Sequence, residues 1–447
     1  MTQASQADLA APGAELTGHP SQRSLVFWWS GASTLRRGAG SRADALPCEG
    51  VGPSFDGRRR WRGRRTPLRC ALARALGALC CVLSFVPAAG AAPVVKVDGA
   101  RLVDGAGTEI QLRRVNRSGT EYACSEGGTA TARGYSIFDG PLYDAANLDQ
   151  PQWMFDAMSS WGITAVRVPL SEHCWLGDLP ALNPAFSGAA YREAIRDYVD
   201  QLGENDMVAI LELHMAGPDA APNLEGALLP MPDADNAPTF WAQVAEVFKT
   251  RTHVLYDAFN EPHLWEIDDD DQRWTCWRDG CTVDPDGPVP AYQTAGMRDI
   301  VDAIRTAGST QPIMLGGLGY ASLLDRWSEY LPADPASSLV ASFHNYPAPV
   351  GGCTDEGCWD TTVDAIRLAG HPVVTGEVGQ YDCDHDYLQR YLDWADARGS
   401  ISYFAWAWDE TDPPSGWTCA GPSLITSYDG TPTQTFGATY RAHLLSR

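Results

Sequence analysis

The sequence predicts a (β/α)8 barrel carrying an N-terminal β-hairpin and long, disulfide-stapled loops. Three observations predict it. Eight short apolar runs recur between residues 112 and 408. Segments with a helical apolar period lie between many of them. Each run ends in polar or aromatic residues, at the end where a parallel barrel carries its chemistry.

The elements follow in chain order. Val94–Gln111 reads as a hairpin, with Asp98-Gly99 and Asp104-Gly105 as turn signals. The eight strand candidates are Leu112–Asn116, Ala165–Leu170, Val208–His214, Val254–Glu261, Pro312–Leu318, Leu339–Tyr346, Pro372–Val378 and Ser402–Trp408. Several are nearly continuously apolar, as strands buried on both faces must be. Helical periods occupy Trp153–Trp161, Tyr191–Leu202, Phe240–Lys249, Met297–Ala307 and Tyr387–Ala397, with a weaker one at Phe436–Leu445. An open doubly wound sheet is the alternative. It would need a Gly-rich turn after its first strand, and the nearest match, Leu315–Leu323, lacks the spacing and follows the fifth run. No second domain, linker or internal repeat is visible.

Composition narrows the function. The chain has 447 residues, a net charge of -23 and 44% apolar residues. That is enough for a large core, and too acidic for a ligand of nucleic acid or of an anionic membrane. The charge is uneven: residues 1–91 hold 12 Arg, no Lys and 5 acidic residues. A basic block, Arg58 to Arg69, precedes an apolar run, Ala75 to Val86, and then Ala89-Gly90-Ala91. This order reads as a secretory signal over 58–91, cleaved after Ala91. Arg64-Arg65 faintly resembles a twin-arginine signal, although pre-folded export conflicts with cysteine pairing. Residues 1–57 read as a disordered leader or an over-extended start, and 92–447 as the catalytic barrel of a secreted, extracellular monomer.

Of 12 Cys, eight lie beyond the expected cleavage point. Cys276/Cys281 and Cys353/Cys358 each bracket a Gly-containing turn and read as local staples. Cys124/Cys174 and Cys383/Cys419 are the remaining pairs. No Cys/His cluster at zinc spacing competes with this reading.

Polar residues coincide with strand ends: Asn116, Arg167, His214, Asn260, Glu261, His344, Tyr346, Glu377, Trp406 and Trp408. Singly, each has a structural explanation, such as a core histidine or a buried ion pair. Glu261 and Glu377 stand apart, because an unpaired carboxylate in an apolar strand is expensive unless it is used. Two carboxyls across a barrel mouth are what acetal hydrolysis needs. One is protonated to help the leaving oxygen depart; the other is ionised to attack or to activate water. Asn260 offers an amide to a sugar hydroxyl. Arg167, His214 and Tyr346 are placed to hold Glu377 ionised. Trp406 or Trp408 offers a flat ring to a pyranose.

At these residues the chain resembles glycoside hydrolase family 5, the retaining β-glycanases of clan A. The stretches that carry the resemblance are LRRVNRSGTEYAC, AVRVPLSEHCWLG, ILELH, YDAFNEP, SFHNYP, VVTGEVG and YFAWAW, in that order. The subgroup it most resembles is the secreted bacterial endo-β-1,4-glucanases. The resemblance implies Glu261 as acid/base, Glu377 as nucleophile and Asn260 at the sugar 2-hydroxyl. It implies Arg167 and Tyr346 supporting Glu377, and His214 and His344 lining the reacting subsite. Trp406 is the implied stacking residue, with a cis bond to Ala407, and Trp408 is the alternative. Met215 and His263 depart from the aromatic residues usual at their positions, which leaves glucan against mannan open.

Other signals are weaker. The segment His263 to Pro290 is acidic and Trp-rich, and reads equally as a cleft wall or as a disulfide-pinned solvated loop. Asp284–Gly287 reads as a plain turn rather than as a calcium loop. The sequon at Asn116 falls inside the expected mouth, so glycosylation there is not expected. No nucleophile elbow or His-Glu-x-x-His is present. The expected partner is a β-glucan polysaccharide or oligosaccharide, with no metal or organic cofactor. A β-mannanase or another β-glycanase of the same family, and a non-catalytic sugar-binding barrel, are the alternatives. The retaining mechanism predicts carboxyls about 5–5.5 Å apart.

Overall fold

The computed structural model describes residues 93–124, 152–219, 221, 229–285, 289–347, 353–380, 384–410 and 422–447. The leader and signal readings, Cys383, Cys419 and half of the Asp284–Gly287 turn lie outside these residues.

Eight parallel strands close into a barrel. They are β1 (Arg113–Asn116), β2 (Ala165–Ser171), β3 (Val208–Met215), β4 (Val254–Asp257), β5 (Ile313–Gly316), β6 (Leu339–Asn345), β7 (Val373–Val378) and β8 (Ser402–Ala405). Each pairs with its sequence neighbour, and β8 returns to β1 through Tyr403 opposite Arg113. The alternation of side chains builds two cores. Inward residues such as Ala165, Ile210, Leu255, Met314, Val340, Val374 and Phe404 fill the lower barrel. Their outward neighbours, such as Val166, Leu211, Tyr256 and Tyr403, pack under the surrounding helices. The hairpin, Lys96–Asp98 against Arg101–Val103, contributes Val95 and Leu102 to the inner core and so closes the barrel at its N-terminal end.

Helices at Gln152–Ser159, Gly188–Glu204, Ala237–Phe248, Met297–Thr306, Asp386–Ala397 and Phe436–Leu445 answer the six periodic segments. Two further helices of ten residues or more were not anticipated, nor was the five-residue helix Glu172–Leu176 after β2. Glu356–Leu368, between β6 and β7, starts where the Asp355 carboxylate caps the Cys358 N–H. The staple cysteines obscured that start, because Cys353–Cys358 straddles it. Asp270–Asp279 begins with Asp269 capping Gln272 and buries Trp274 and Trp277, so this acidic segment is a packed helix rather than a solvated loop. Between β5 and β6 the chain makes only short turns, a four-residue helical stretch at Leu318–Ala321 and a 3-10 turn at Trp327–Glu329.

Three disulfides form among the described residues: Cys124–Cys174, Cys276–Cys281 and Cys353–Cys358. The first ties the segment after β1 to the short helix Glu172–Leu176. No described helix is long and apolar enough to cross a membrane.

Candidate active site

The floor of the mouth is one buried guanidinium. Arg167 on β2 donates from Nε to Asp257 (3.0 Å), from Nη1 to Asn116 (3.0 Å) and Glu377 (2.9 Å), and from Nη2 to Asn260 (3.1 Å). Glu212 lies 3.6 Å from Nη1. Strand register produces this convergence: Asn116 is level with Arg167, and Glu212 with Asp257. Burial alone would lower the Arg167 pKa, but Glu212, Asp257 and Glu377 together raise it, so its charge is permanent.

Glu377 sits near the end of β7 with both oxygens engaged. Oε1 accepts from Arg167, and Oε2 accepts from the Tyr346 hydroxyl at 2.7 Å. The flanking glycines make this possible. A Cβ on Gly376 would lie 2.9 Å from His344 Nε2, and one on Gly379 would lie 2.5 Å from the Tyr346 ring. Both rings are fixed by their contacts with the two glutamates, so neither can yield. The register between β6 and β7 also shifts at Phe343/His344, which sets His344 level with Glu377.

Glu261 lies four residues beyond the end of β4, on the loop and not within the strand as the apolar pattern suggested. The regular ladder ends at Asp257, and the Asn260 N–H then bonds Leu213 O at 3.0 Å. Asn260 Oδ1 is held by Arg167, which leaves its amide hydrogens for another acceptor. Burial pushes the Glu261 carboxyl up to about 7, against the opposing pull of His214 and Arg167. His344 Nδ1 lies 2.9 Å from Glu261 Oε1 and 3.7 Å from Glu377 Oε2. Burial holds this imidazole down at about 4, so it is neutral and adds a hydrogen bond without a charge.

His214 is the opposite case. Burial would lower it, but Glu212, 3.1 Å from Nδ1, raises it to about 9. This cation stacks on Trp406 with ring centres 5.5 Å apart and planes 20° apart. Trp406 stays partly exposed, and its bond to Ala407 is cis.

One donor atom each from Glu261, His344 and Glu377 lie within 4.8 Å of one another. Such a trio is a conceivable divalent-cation set. Yet Arg167 and Tyr346 already engage both Glu377 oxygens, so a cation there would have to compete with a guanidinium and a hydroxyl. The two glutamates therefore face each other in unlike environments, one held by a cation and a hydroxyl, the other pushed toward its protonated form.

The cellulase (glycosyl hydrolase family 5) family model matches residues 122–412. The chain belongs to glycosyl hydrolase family 5. Its sequence is 21% identical over 336 residues to endoglucanase N of Pectobacterium atrosepticum, covering 74% of this chain and 60% of that one. It is 23% identical over 223 residues to a mannan endo-1,4-β-mannosidase of Salipaludibacillus agaradhaerens, covering 48% of this chain and 61% of the relative. The chain thus spans about three fifths of the length of either curated relative. A β-glucanase of Saccharophagus degradans, solved in complex with cellotetraose, shares the fold with a TM-score of 0.53 at 17% identity, over 80% of this chain and 94% of that one.

In this family 5 chain the structure gathers Arg167, His214, Asn260, Glu261, His344, Tyr346, Glu377 and Trp406 around one mouth. It does not bring Trp408 there. Trp408 is fully buried, edge-on to Trp161 at 4.9 Å, because β8 ends at Ala405 and the residues beyond it turn into the outer core. The sequon residue Asn116 is also buried, donating to Gly376 O and Ala405 O. Sequence reasoning missed Glu212 and Asp257. The signal was present: both are carboxylates inside apolar runs, and Glu212 shares inward parity with His214. Burial, despite Arg167, pushes Asp257 up to about 7. Glu121 was missed too; it accepts from Ser118 Oγ and Gly119 N, both at 2.7 Å, and burial pushes it up to about 7.

Proposed function

We propose that the protein is a retaining endo-β-glycanase that cleaves internal β-1,4 bonds of cellulose or related β-glucans. The observation that carries the reading is the Glu261–Glu377 pair, with carboxylate oxygens within 4.8 Å. An inverting pair stands about 6.5–9.5 Å apart to admit a water, and a retaining pair stands closer. Glu377 attacks the anomeric carbon while Glu261 gives its proton to the departing oxygen. A covalent glycosyl–enzyme forms and the shortened chain leaves as an alcohol. Glu261, now ionised, takes a proton from water, whose oxygen displaces Glu377. The sugar leaves with its original configuration.

Asn260 is assigned to the 2-hydroxyl, Trp406 to the face of the reacting ring, and Arg167 and Tyr346 to the charge on Glu377. The three disulfides support an extracellular site of action. A β-mannanase is the second reading. The mannanase relative favours it, and Met215 and His263, which depart from the aromatic residues usual at their positions, leave the choice between the two glycans open.

Reducing-sugar release from carboxymethylcellulose, β-glucan and mannan tests the substrate. Proton NMR of the first product tests the stereochemistry: retention is expected, and an inverted product would overturn the mechanism. Release from none of the three glycans would favour a binding barrel.

A further inference from the structure

The segment that follows Glu261 is built to display aromatic surface. His263 stacks on Tyr320 at 4.7 Å and 24°, and Trp265 meets the same tyrosine at 6.3 Å and 50°. Trp265 is 38% exposed, whereas Trp274 and Trp277 of the same segment are 1% and 0% exposed. The open indole is nevertheless anchored. The Arg273 guanidinium lies 5.7 Å from its ring centre and is itself fixed by two bonds to Ile267 O. The helix behind it is pinned by Cys276–Cys281 and by a Trp277 Nε1 bond to Gly316 O at 2.9 Å.

Tyr320 is held with equal care. It lies in a run of three left-handed residues, Gly319 (φ 61°), Tyr320 (φ 59°) and Ala321 (φ 57°). Residues with side chains avoid that region, and such backbone collects at functional sites. The Tyr320 N–H is bonded to the carbonyl of Pro262, the residue after Glu261. The shelf is thus fastened to the chain that carries the acid.

Its position assigns its ligand. The acid delivers its proton to the departing oxygen, so the departing sugars lie on the Glu261 side of the broken bond. Trp406 and His214 serve the sugar bonded to Glu377. We propose that Tyr320 and Trp265 form an aromatic shelf for the departing end of the glycan, with Trp265 stacking a β-linked pyranose beyond the first. The inference rests on the glycanase reading above. It makes Trp265 a determinant of chain length that acts on long substrates and is out of reach of short ones.

The test compares two substrates, a β-linked pentasaccharide and the 2,4-dinitrophenyl glycoside of the matching disaccharide. The gluco or manno series is chosen by what the wild type hydrolyses. The dinitrophenyl group is too small to cover both rings. Trp265→Ala is expected to lower kcat/KM on the pentasaccharide at least tenfold more than on the aryl glycoside, and to shift the cleavage position. Trp265→Phe is expected to stay within about threefold of the wild type on both. An equal loss on both substrates, or no loss on the pentasaccharide, would overturn the shelf. A wild type inactive on every substrate would overturn the glycanase reading, and the shelf with it.

Discussion

Glu261→Gln separates the charge of the acid from its shape. Burial moves this carboxyl from its usual 4.5 to about 7. The side chain is 15% exposed, so little solvent screens that shift. Between these two values the native state binds more protons than the unfolded chain. The group's contribution to stability is therefore complete below about pH 4.5 and is lost as pH rises through about 7. At about 1.4 kcal/mol per pH unit, the loss between pH 5 and pH 8 is about 2 to 3 kcal/mol. Glutamine carries no proton to lose, and can still accept from His344. The stability of the variant relative to wild type should rise by that amount from pH 5 to pH 8, as measured by urea unfolding at both values. Asp257 and Glu121 titrate in both proteins and largely cancel in the difference. In the proposed mechanism the same proton drives leaving-group departure. Wild-type kcat/KM on glycan should then fall about tenfold per pH unit above pH 7, and stay flat on a dinitrophenyl glycoside. A stability difference that does not change with pH, or a Gln variant that loses ground at pH 8, would refute the reasoning.

Glu377→Gln should lower turnover by about 10⁴-fold or more with the unfolding curve at pH 7 little changed; substantial residual turnover would remove Glu377 as nucleophile. Trp406→Ala should lower kcat/KM about 10- to 100-fold, mostly through KM, because it takes away a stacking face and the ring against His214. Steady-state kinetics on an oligosaccharide decide this, and an unchanged KM would count against it. Replacing Cys124 and Cys174 together should cost up to about 4 kcal/mol, and replacing Cys353 and Cys358 about 2, since the first pair closes a loop of 50 residues and the second a loop of 5. Equal losses in urea unfolding would mean that loop entropy is not the cause.

Much of the site was legible because a parallel barrel turns linear order into geometry. Once eight runs were recognised, their C-terminal residues had to meet at one mouth, and Arg167, Glu261, His344 and Glu377 do. Gly376 and Gly379 were visible as a motif, but their purpose was not. Only the packed structure shows the His344 and Tyr346 rings in the space where a side chain would stand. Trp406 and Trp408 share one parity at the end of the eighth run, and only the resemblance preferred Trp406. The end of β8 at Ala405 separated them.

The hydrophobic period and the strand-end polar residues therefore determined the architecture and pointed to the pair proposed to react, because both follow from local side-chain alternation. Tertiary structure decided what depends on distant segments meeting. Glu212 and Asp257 share one guanidinium because register sets them level. Glu261 is pushed toward its protonated form because the folded chain buries it, while Arg167 and Tyr346 reach Glu377 from β2 and from the end of β6. Trp265 stays open while Trp274 and Trp277 close, because one helix face packs on the barrel and the Trp265 ring rests only against Tyr320 and Arg273.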